Sequence, residues 1–317
     1  MFRPIEALSF LFITVLSSTP HHPLLVTSHY KYLYLCMKIG TCSWKYDSWK
    51  GIVYPDFGEF NFLEEYSKHY NTVEIDQWFW SLNKDKASLP NPKTVNEYND
   101  STPNDFKFTI KMPYSFTLTH PYKSTTPNPH FLSHNLMQSF IHSINPLLPK
   151  VGMLMFQFEY LNKQKMSSLK EFIDNFSAFS ETIDKSIPIG IEIRNPNYLN
   201  KEYFQFLKEN NITHVFIQGY YMPYISVVYN DFSDLLTNTS VIRLQGPDRK
   251  GIEVQAKKQW NKIIQPKDNE LKEIIKVIQK MLAVDTNLYV NINNHYEGSA
   301  PLTINKIMDK LNFSKKY

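Results

Sequence analysis

Three acids and three cations stand at the polar ends of short apolar runs in this 317-residue chain. The acids are Glu74 and Asp76 in TVEID and Glu192 in IGIEIR; the cations are Lys111 in FKFTIKM, Arg194 beyond Glu192, and Arg243 in SVIRLQ. Amides end other runs (Gln157, Gln218, Asn291, Asn293, Asn294), and His295 follows the last of them. Two-residue spacings, Glu74 to Asp76 and Glu192 to Arg194, put both members on one face of an extended strand. Such a set allows three chemistries. Paired carboxylates can act as general acid and base or nucleophile in glycoside cleavage, at a separation of roughly 5–9.5 Å. Acids with His295 can bind a divalent metal. One carboxylate with a raised pKa can take a proton from a carbonyl substrate. The metal reading is disfavoured because Lys111, Arg194 and Arg243 would repel a cation, and the sequence requires no cofactor. The plain alternative is an internal ion-pair lattice, such as Glu74–Lys111 and Glu192–Arg194, without chemistry.

Eight elements must position these residues. The runs MKIGTC (37–42), TVEID (72–76), FKFTIKM (106–112), GMLMFQF (152–158), IGIEIR (189–194), HVFIQ (214–218), SVIRLQ (240–245) and LYVNINN (288–294) read as strands with one apolar and one polar face. Between them lie helical patterns: Leu63, Tyr66 and Tyr70; Leu169, Phe172, Phe176 and Phe179 behind a Ser168/Glu171 capping box; Asn200 before KEYFQFLKEN; Leu271, Ile274, Ile278 and Leu282 after Asp268; and Pro301 in the first turn of a last helix. The patterns after runs two, three and six are weaker. Alternating strands and helices predict an α/β fold with parallel strands, and eight units predict closure into a single (β/α)8 barrel. An open doubly wound sheet is second, because its strands are usually apolar on both faces. Barrel closure would gather the polar strand ends into one pocket. Segment 113–130, rich in Pro and Thr, reads as a long lid or binding loop.

Aromatic residues crowd the same end: Trp44, Tyr46 and Trp49 after the first run, Trp78, Phe79 and Trp80 after the second, and Tyr220, Tyr221 and Tyr224 after the sixth. Flat rings there would stack on sugars or bases, or form an apolar lid. The stretches QGPDRKG (245–251) and NNHYEGSAP (293–301) occupy the usual phosphate position of such barrels, with Gly246 and Ser299 as backbone donors and Arg243 and Arg249 behind them.

With 34 Lys and Arg against 30 Asp and Glu, the net charge of +4 is too weak to indicate a nucleic-acid footprint by itself. The two cysteines, Cys36 and Cys42, make neither a disulfide framework nor a metal motif, so a reducing cytoplasmic setting is expected. The stretch ALSFLFITVL (7–16) resembles a signal-peptide core, but Glu6 interrupts its flank and no small-residue cleavage site follows. Met37 directly precedes the first strand, so residues 1–36 are expected to lie outside the fold as an extension or mis-assigned start, with the barrel over 37–313. No run is long enough to cross a membrane.

The motifs IGTCSWKYDSWKG (39–51), NTVEIDQWFW (71–80), GMLMFQF (152–158), IEIRNPNY (191–198) and NINNHYEGSAP (291–301) together resemble the YecE-like family, domain of unknown function 72. The resemblance runs from about Met37 to Leu311 and implies a β/α barrel and a cytosolic bacterial or archaeal setting, with no established activity. Many members read GTSGW where this chain reads GTCSW, so Cys42 replaces a serine and Ser43 a glycine. Cys42 has no histidine near it in sequence and reads as a buried structural thiol rather than a nucleophile.

The leading expectation is an enzyme, of hydrolase, lyase or isomerase class, acting on a small polar anionic metabolite, sugar-like or phosphorylated. Glu74 and Glu192 would do the acid–base work and Asp76 would orient. Lys111, Arg194 and Arg243 would hold the anion; Trp44, Tyr46, Gln157, Gln218, Asn291, Asn293, Asn294 and His295 would line the substrate. Two alternatives remain: a nucleic-acid-binding or -processing protein using the aromatic rim, and a non-catalytic ligand-binding barrel. Oligomeric state is open.

Overall fold

The computed structural model describes residues 37–83, 86–121 and 123–311. The segment 1–36, expected to stand apart from the barrel, lies outside the described residues. All eight apolar runs form parallel strands: β1 Met37–Thr41, β2 Thr72–Ile75, β3 Lys107–Lys111, β4 Val151–Gln157, β5 Ile189–Glu192, β6 Thr213–Gly219, β7 Thr239–Gly246 and β8 Asn287–Ile292. Their order around the sheet is β1, β8, β7, β6, β5, β4, β3, β2, so only the β1–β2 seam lacks a full ladder. The result is a nearly closed (β/α)8 barrel.

Side chains close that seam. The Tyr66 hydroxyl accepts from the Thr41 amide at 2.8 Å and donates to the Thr72 carbonyl at 3.1 Å, standing in for a missing ladder bond. Two residues earlier on β1, the side chain of Asn71, just before β2, accepts from Ile39 N and donates to Met37 O. Beyond them Cys42 bridges Glu74, and Ser43 N donates to Glu74 O at 3.0 Å. Gly40 is required there, because a Cβ would lie 1.9 Å from the Thr72 carbonyl oxygen.

Helices α1 Phe62–Ser67, α2 Pro92–Asp100, α3 His134–Ser143, α4 Leu169–Ser180, α5 Lys201–Glu209, α6 Ile225–Phe232, α7 Arg249–Ala256, α8 Asp268–Ala283 and α9 Ala300–Lys310 alternate with the strands. The weaker patterns after runs two, three and six are thus α2, α3 and α6. The Ser168 and Asn200 side chains accept from the first turns of α4 and α5 as expected, and Asn61 does so at α1, whereas Asp268 is the first residue of α8 rather than its cap. At α4, Glu171 reaches back to Ser167 rather than to Ser168. Apolar helix faces cover the outside of the barrel; Phe156 of β4, for instance, packs against Phe176 and Phe179 of α4. Inside, Met153, Met155, Val215, Val241 and Tyr289 form a separate buried cluster. Gly152 makes room for the Tyr289 ring, whose nearest atom would lie 2.6 Å from a Cβ.

Among its described residues, segment 113–130 contains no regular element, as expected, and it is anchored. Phe116 is fully buried, and Asn128 Nδ2 donates to the carbonyls of Ser115 and Leu118 at 2.8 and 2.7 Å. Among the described residues, no helix is long and apolar enough to cross a membrane.

Candidate functional site

The inward faces of β2, β3, β4, β5, β7 and β8 carry Glu74, Thr109, Gln157, Glu192, Arg243 and Asn291 above the apolar cluster. Arg243 is the hub. Its Nε and Nη2 donate to the two Glu74 oxygens at 2.8 and 2.6 Å, and its Nη1 donates to Glu192 Oε2 and, at 3.1 Å, to Gln157 Oε1. Glu74 also accepts from Asn291 Nδ2 at 3.3 Å and from the Cys42 thiol at 3.4 Å. Arg194 Nη2 lies 2.5 Å from Glu192 Oε1. Glu74 and Glu192 are fully buried and Arg243 almost so. Burying unpaired charges is prohibitive, and here two carboxylates face two guanidinium groups. Burial pushes the Glu192 carboxyl up, but Arg194 and Arg243 outweigh it and hold the group below the usual carboxylate range.

Above this floor opens a cavity of about 970 Å³, lined by Asp76, Lys111, Gln157, Arg194, Arg243, Gln245, Asn293 and His295 among others. Asp76 and Lys111 both line it, close enough to influence each other electrostatically. Ile75, the last residue of β2, is in register with Ile110 of β3; Asp76 follows just past β2 with φ −111° and ψ −15°, and Lys111 ends β3. Burial, with the Glu74 charge behind it, raises the Asp76 carboxyl to about 6. Burial and the Arg243 charge lower the Lys111 ammonium to about 8, against the pull of the nearby acids. The Lys111 amine sits over the Phe79 ring, 3.5 Å from its centroid.

The far wall comes from β7, β8 and α7. His295 Nε2 lies 3.0 Å from Glu253 Oε1, which also accepts from Arg249 Nε at 2.8 Å. Burial and the Arg249 charge hold the imidazole below its ordinary value. Asn293 lines the cavity, and its Oδ1 accepts from His295 N at 2.9 Å. Tyr46 completes the wall; burial and the Asp76 charge raise its phenol, so it stays protonated. Arg194 lies 4.3 Å over the Tyr220 ring, and Tyr220 and Tyr221 are consecutive residues with positive φ, 53° and 62°. Two left-handed tyrosines in a row is an uncommon, strained arrangement at this rim.

Four expected substrate contacts lie elsewhere. Gln218 is in register with Leu244, so it points outward and accepts from Ile225 N at the start of α6; Ile217, opposite Arg243, takes the inner position. Asn291 is sealed beneath the cavity between Glu74 and Thr109. Asn294 Oδ1 accepts from Ala300 N at 2.9 Å and thereby closes the α9 N-terminus that the sequence suggested for phosphate. Ser299 is fully buried there, and Gly246 packs so closely on the His295 carbonyl that a Cβ would lie 2.3 Å from its oxygen. Trp44 is buried edge-on against Tyr98, lining a different groove. Trp49 is core, its indole donating to the Trp260 carbonyl.

Gln245, Arg249, Glu159 and Tyr160 also line the cavity, and Glu253 backs it through His295 and Arg249. Arg249 sits in QGPDRKG, the signal that pointed there; Glu159 and Tyr160 follow β4 with none. Cys42 is a free buried thiol, pushed well up by burial and by Glu74. Ser43, where many relatives are expected to carry glycine, adopts φ 65°. Among the described residues, no group of three or more His, Cys, Asp and Glu side chains gathers as a metal cluster.

A nearly closed barrel with a charged floor under a strand-end cavity defines the class of protein. The chain belongs to the family described as protein of unknown function DUF72, whose model matches residues 38–317. It is similar to a DUF72 family protein of Enterococcus faecalis, at 20% identity, TM-score 0.64, 88% of this chain and 97% of that one. It is also similar to one from Thermotoga maritima, at 21% identity, TM-score 0.61, 87% of this chain and 99% of that one. At such identities the likeness concerns the fold. No curated protein matches the sequence.

Proposed function

We propose that this chain is an enzyme whose strand-end cavity binds a small polar anionic metabolite, sugar-like or phosphorylated, and that Asp76 moves a proton on it. The observation that carries this reading is the Asp76 carboxyl, lining the cavity and raised to about 6. A proton carrier works best near the operating pH. Glu74 and Glu192, which sequence favoured for that work, are committed to Arg243 and serve as the fixed floor. Gln157, Gln245 and Asn293 offer hydrogen bonds to hydroxyl groups, and Lys111 and Arg249 favour a negative ligand. The free Cys42 thiol suits a reducing, cytoplasmic setting.

The test is turnover in a metabolite extract prepared in D2O and read by mass spectrometry. The wild-type protein is expected to convert or deuterate an anionic metabolite, and Asp76→Asn to lose about 10²–10⁴-fold of that rate. A wild-type protein that alters nothing, or an Asp76→Asn variant as active as wild type, contradicts the reading.

A second reading, nucleic-acid binding, draws on the exposed rings Trp80, Tyr160 and Tyr221 at the cavity mouth, which could stack on bases. It expects oligonucleotide affinity that falls steeply with salt; absence of binding at about 50 mM salt removes it.

A further inference from the structure

We propose that Lys111 is a covalent catalyst: its amine forms an imine with a small anionic aldehyde or ketone held in the strand-end cavity, and Asp76 shuttles the protons. The proposal rests on the reading of this cavity as an active site and names the substrate class.

The cations of the cavity are not equivalent. Arg243 is held by Glu74 and Glu192, Arg194 by Glu192, and Arg249 by Glu253. Lys111 forms no ion pair among the described residues; its amine faces the Phe79 ring instead. An ammonium kept for structure would be expected on a carboxylate, and three carboxylates act on it electrostatically without one bonding to it. A ring face attracts the charged amine, but more weakly than a carboxylate would, so it opposes the neutral form less than an ion pair does. Lysine becomes a nucleophile when burial and a neighbouring cation favour the neutral form. Both conditions hold, with burial first and Arg243 second, and the ammonium is lowered to about 8. The second requirement is an acid–base group beside the amine. Asp76, just past the end of the neighbouring strand β2, lines the same cavity and acts on Lys111 electrostatically; raised to about 6, it can both take and give a proton near neutrality.

The chemistry balances without a further reactant. The Lys111 ammonium passes one proton to the Asp76 carboxylate, and the neutral Nζ attacks the carbonyl carbon. The C–N bond forms as the C=O π pair moves to oxygen. The added nitrogen loses a proton as the oxygen gains one, giving a carbinolamine. Asp76 then protonates the hydroxyl, which leaves as water while the nitrogen lone pair closes the C=N bond. The cationic iminium withdraws electrons from the neighbouring carbon, and the regenerated Asp76 carboxylate takes the proton from it, giving an enamine. The Arg243 floor beneath the pair is held by Glu74 and Glu192, so it does not compete for the carbonyl. Arg249 and Asn293 on the opposite wall are placed for the anionic group and a hydroxyl.

The test uses glyoxylate, an anionic aldehyde, with sodium borohydride, whose hydride reduces the iminium to a stable secondary amine, followed by peptide mapping of the intact chain. Lys111 should be labelled at least about tenfold faster than the surface lysines, because the neutral fraction at a given pH follows the pKa. Its labelling should be slowed about tenfold or more by Asp76→Asn. The propanal control, lacking the negative charge, should label Lys111 more slowly. Lys111→Arg should remove the fast site while circular dichroism shows an unchanged fold. Labelling spread evenly over surface lysines, with Lys111 no faster, overturns the proposal. Turnover of a metabolite that depends on Asp76 but survives Lys111→Arg also overturns it, and leaves the proton-transfer reading of the cavity standing. An imine at Lys111 with no Asp76-dependent turnover does the reverse.

Discussion

The Arg243 guanidinium forks onto the Glu74 carboxylate at 2.8 and 2.6 Å from opposite sides of the barrel, and its remaining nitrogen reaches Glu192. One side chain thereby ties β2, β5 and β7 together beneath the cavity. Replacing it leaves two buried carboxylates with less compensation than their desolvation demands. Arg243→Met should lower unfolding free energy by about 3–5 kcal/mol, as losing one partner of a buried pair does. Urea denaturation checks this, and a loss below about 1 kcal/mol would show that the hub is not needed for stability.

Asp76 should cost stability at neutral pH. Its folded value of about 6 lies above the ordinary carboxylate value of about 3.9. A raised acid stabilises fully below the unfolded value, and that contribution is lost as pH rises through the folded one. Asp76→Asn should therefore gain roughly 1–3 kcal/mol near pH 7.5 and little near pH 4. Denaturation at both pH values decides it; equal effects at the two would contradict the raised value.

The β1–β2 seam depends on the Tyr66 hydroxyl. Tyr66→Phe leaves the Thr41 amide and the Thr72 carbonyl without that partner inside the protein. The expected loss is about 1–3 kcal/mol, with faster hydrogen exchange at the Thr41 amide. Unchanged exchange there would mean that the seam is held by other contacts.

Ser43 occupies a left-handed backbone position, φ 65°. That conformation costs a non-glycine residue roughly 1–2 kcal/mol, partly offset by the greater unfolded-state freedom of glycine, roughly 0.4–1 kcal/mol. Ser43→Gly should thus gain about 0.5–1 kcal/mol in thermal or chemical unfolding. Destabilisation would show that the serine side chain contributes a contact that outweighs its strain.

Strand position was legible in the sequence because apolar alternation is local. Each of the eight runs became a strand, and the polar ends of most turned inward. Gln218 shows where alternation fails: VFI in β6 is apolar on both faces, so nothing in the run itself fixes its phase, and Ile217 rather than Gln218 meets Arg243 across the register. Asn294 shows another limit. A strand-end amide and a helix cap look alike until the loop is folded, and here the cap won. Partner choice was least legible. The pair Glu192–Arg194 is two residues apart and was readable, whereas Glu74 pairs with Arg243, 169 residues away across the barrel, rather than with Lys111 on the next strand. That exchange underlies the proposed chemistry, because it commits the two glutamates to Arg243 and leaves Asp76 and Lys111 lining the cavity.

The most direct test of this assignment needs no substrate. Carbon-13 NMR of aspartate side-chain carboxyls, titrated in the wild-type protein and in Asp76→Asn, should show one midpoint at about 6 that vanishes in the variant. A wild-type titration in which the Asp76 carboxyl ionises with the ordinary carboxylates, at about 4, would contradict the proposal that it carries protons in the cavity.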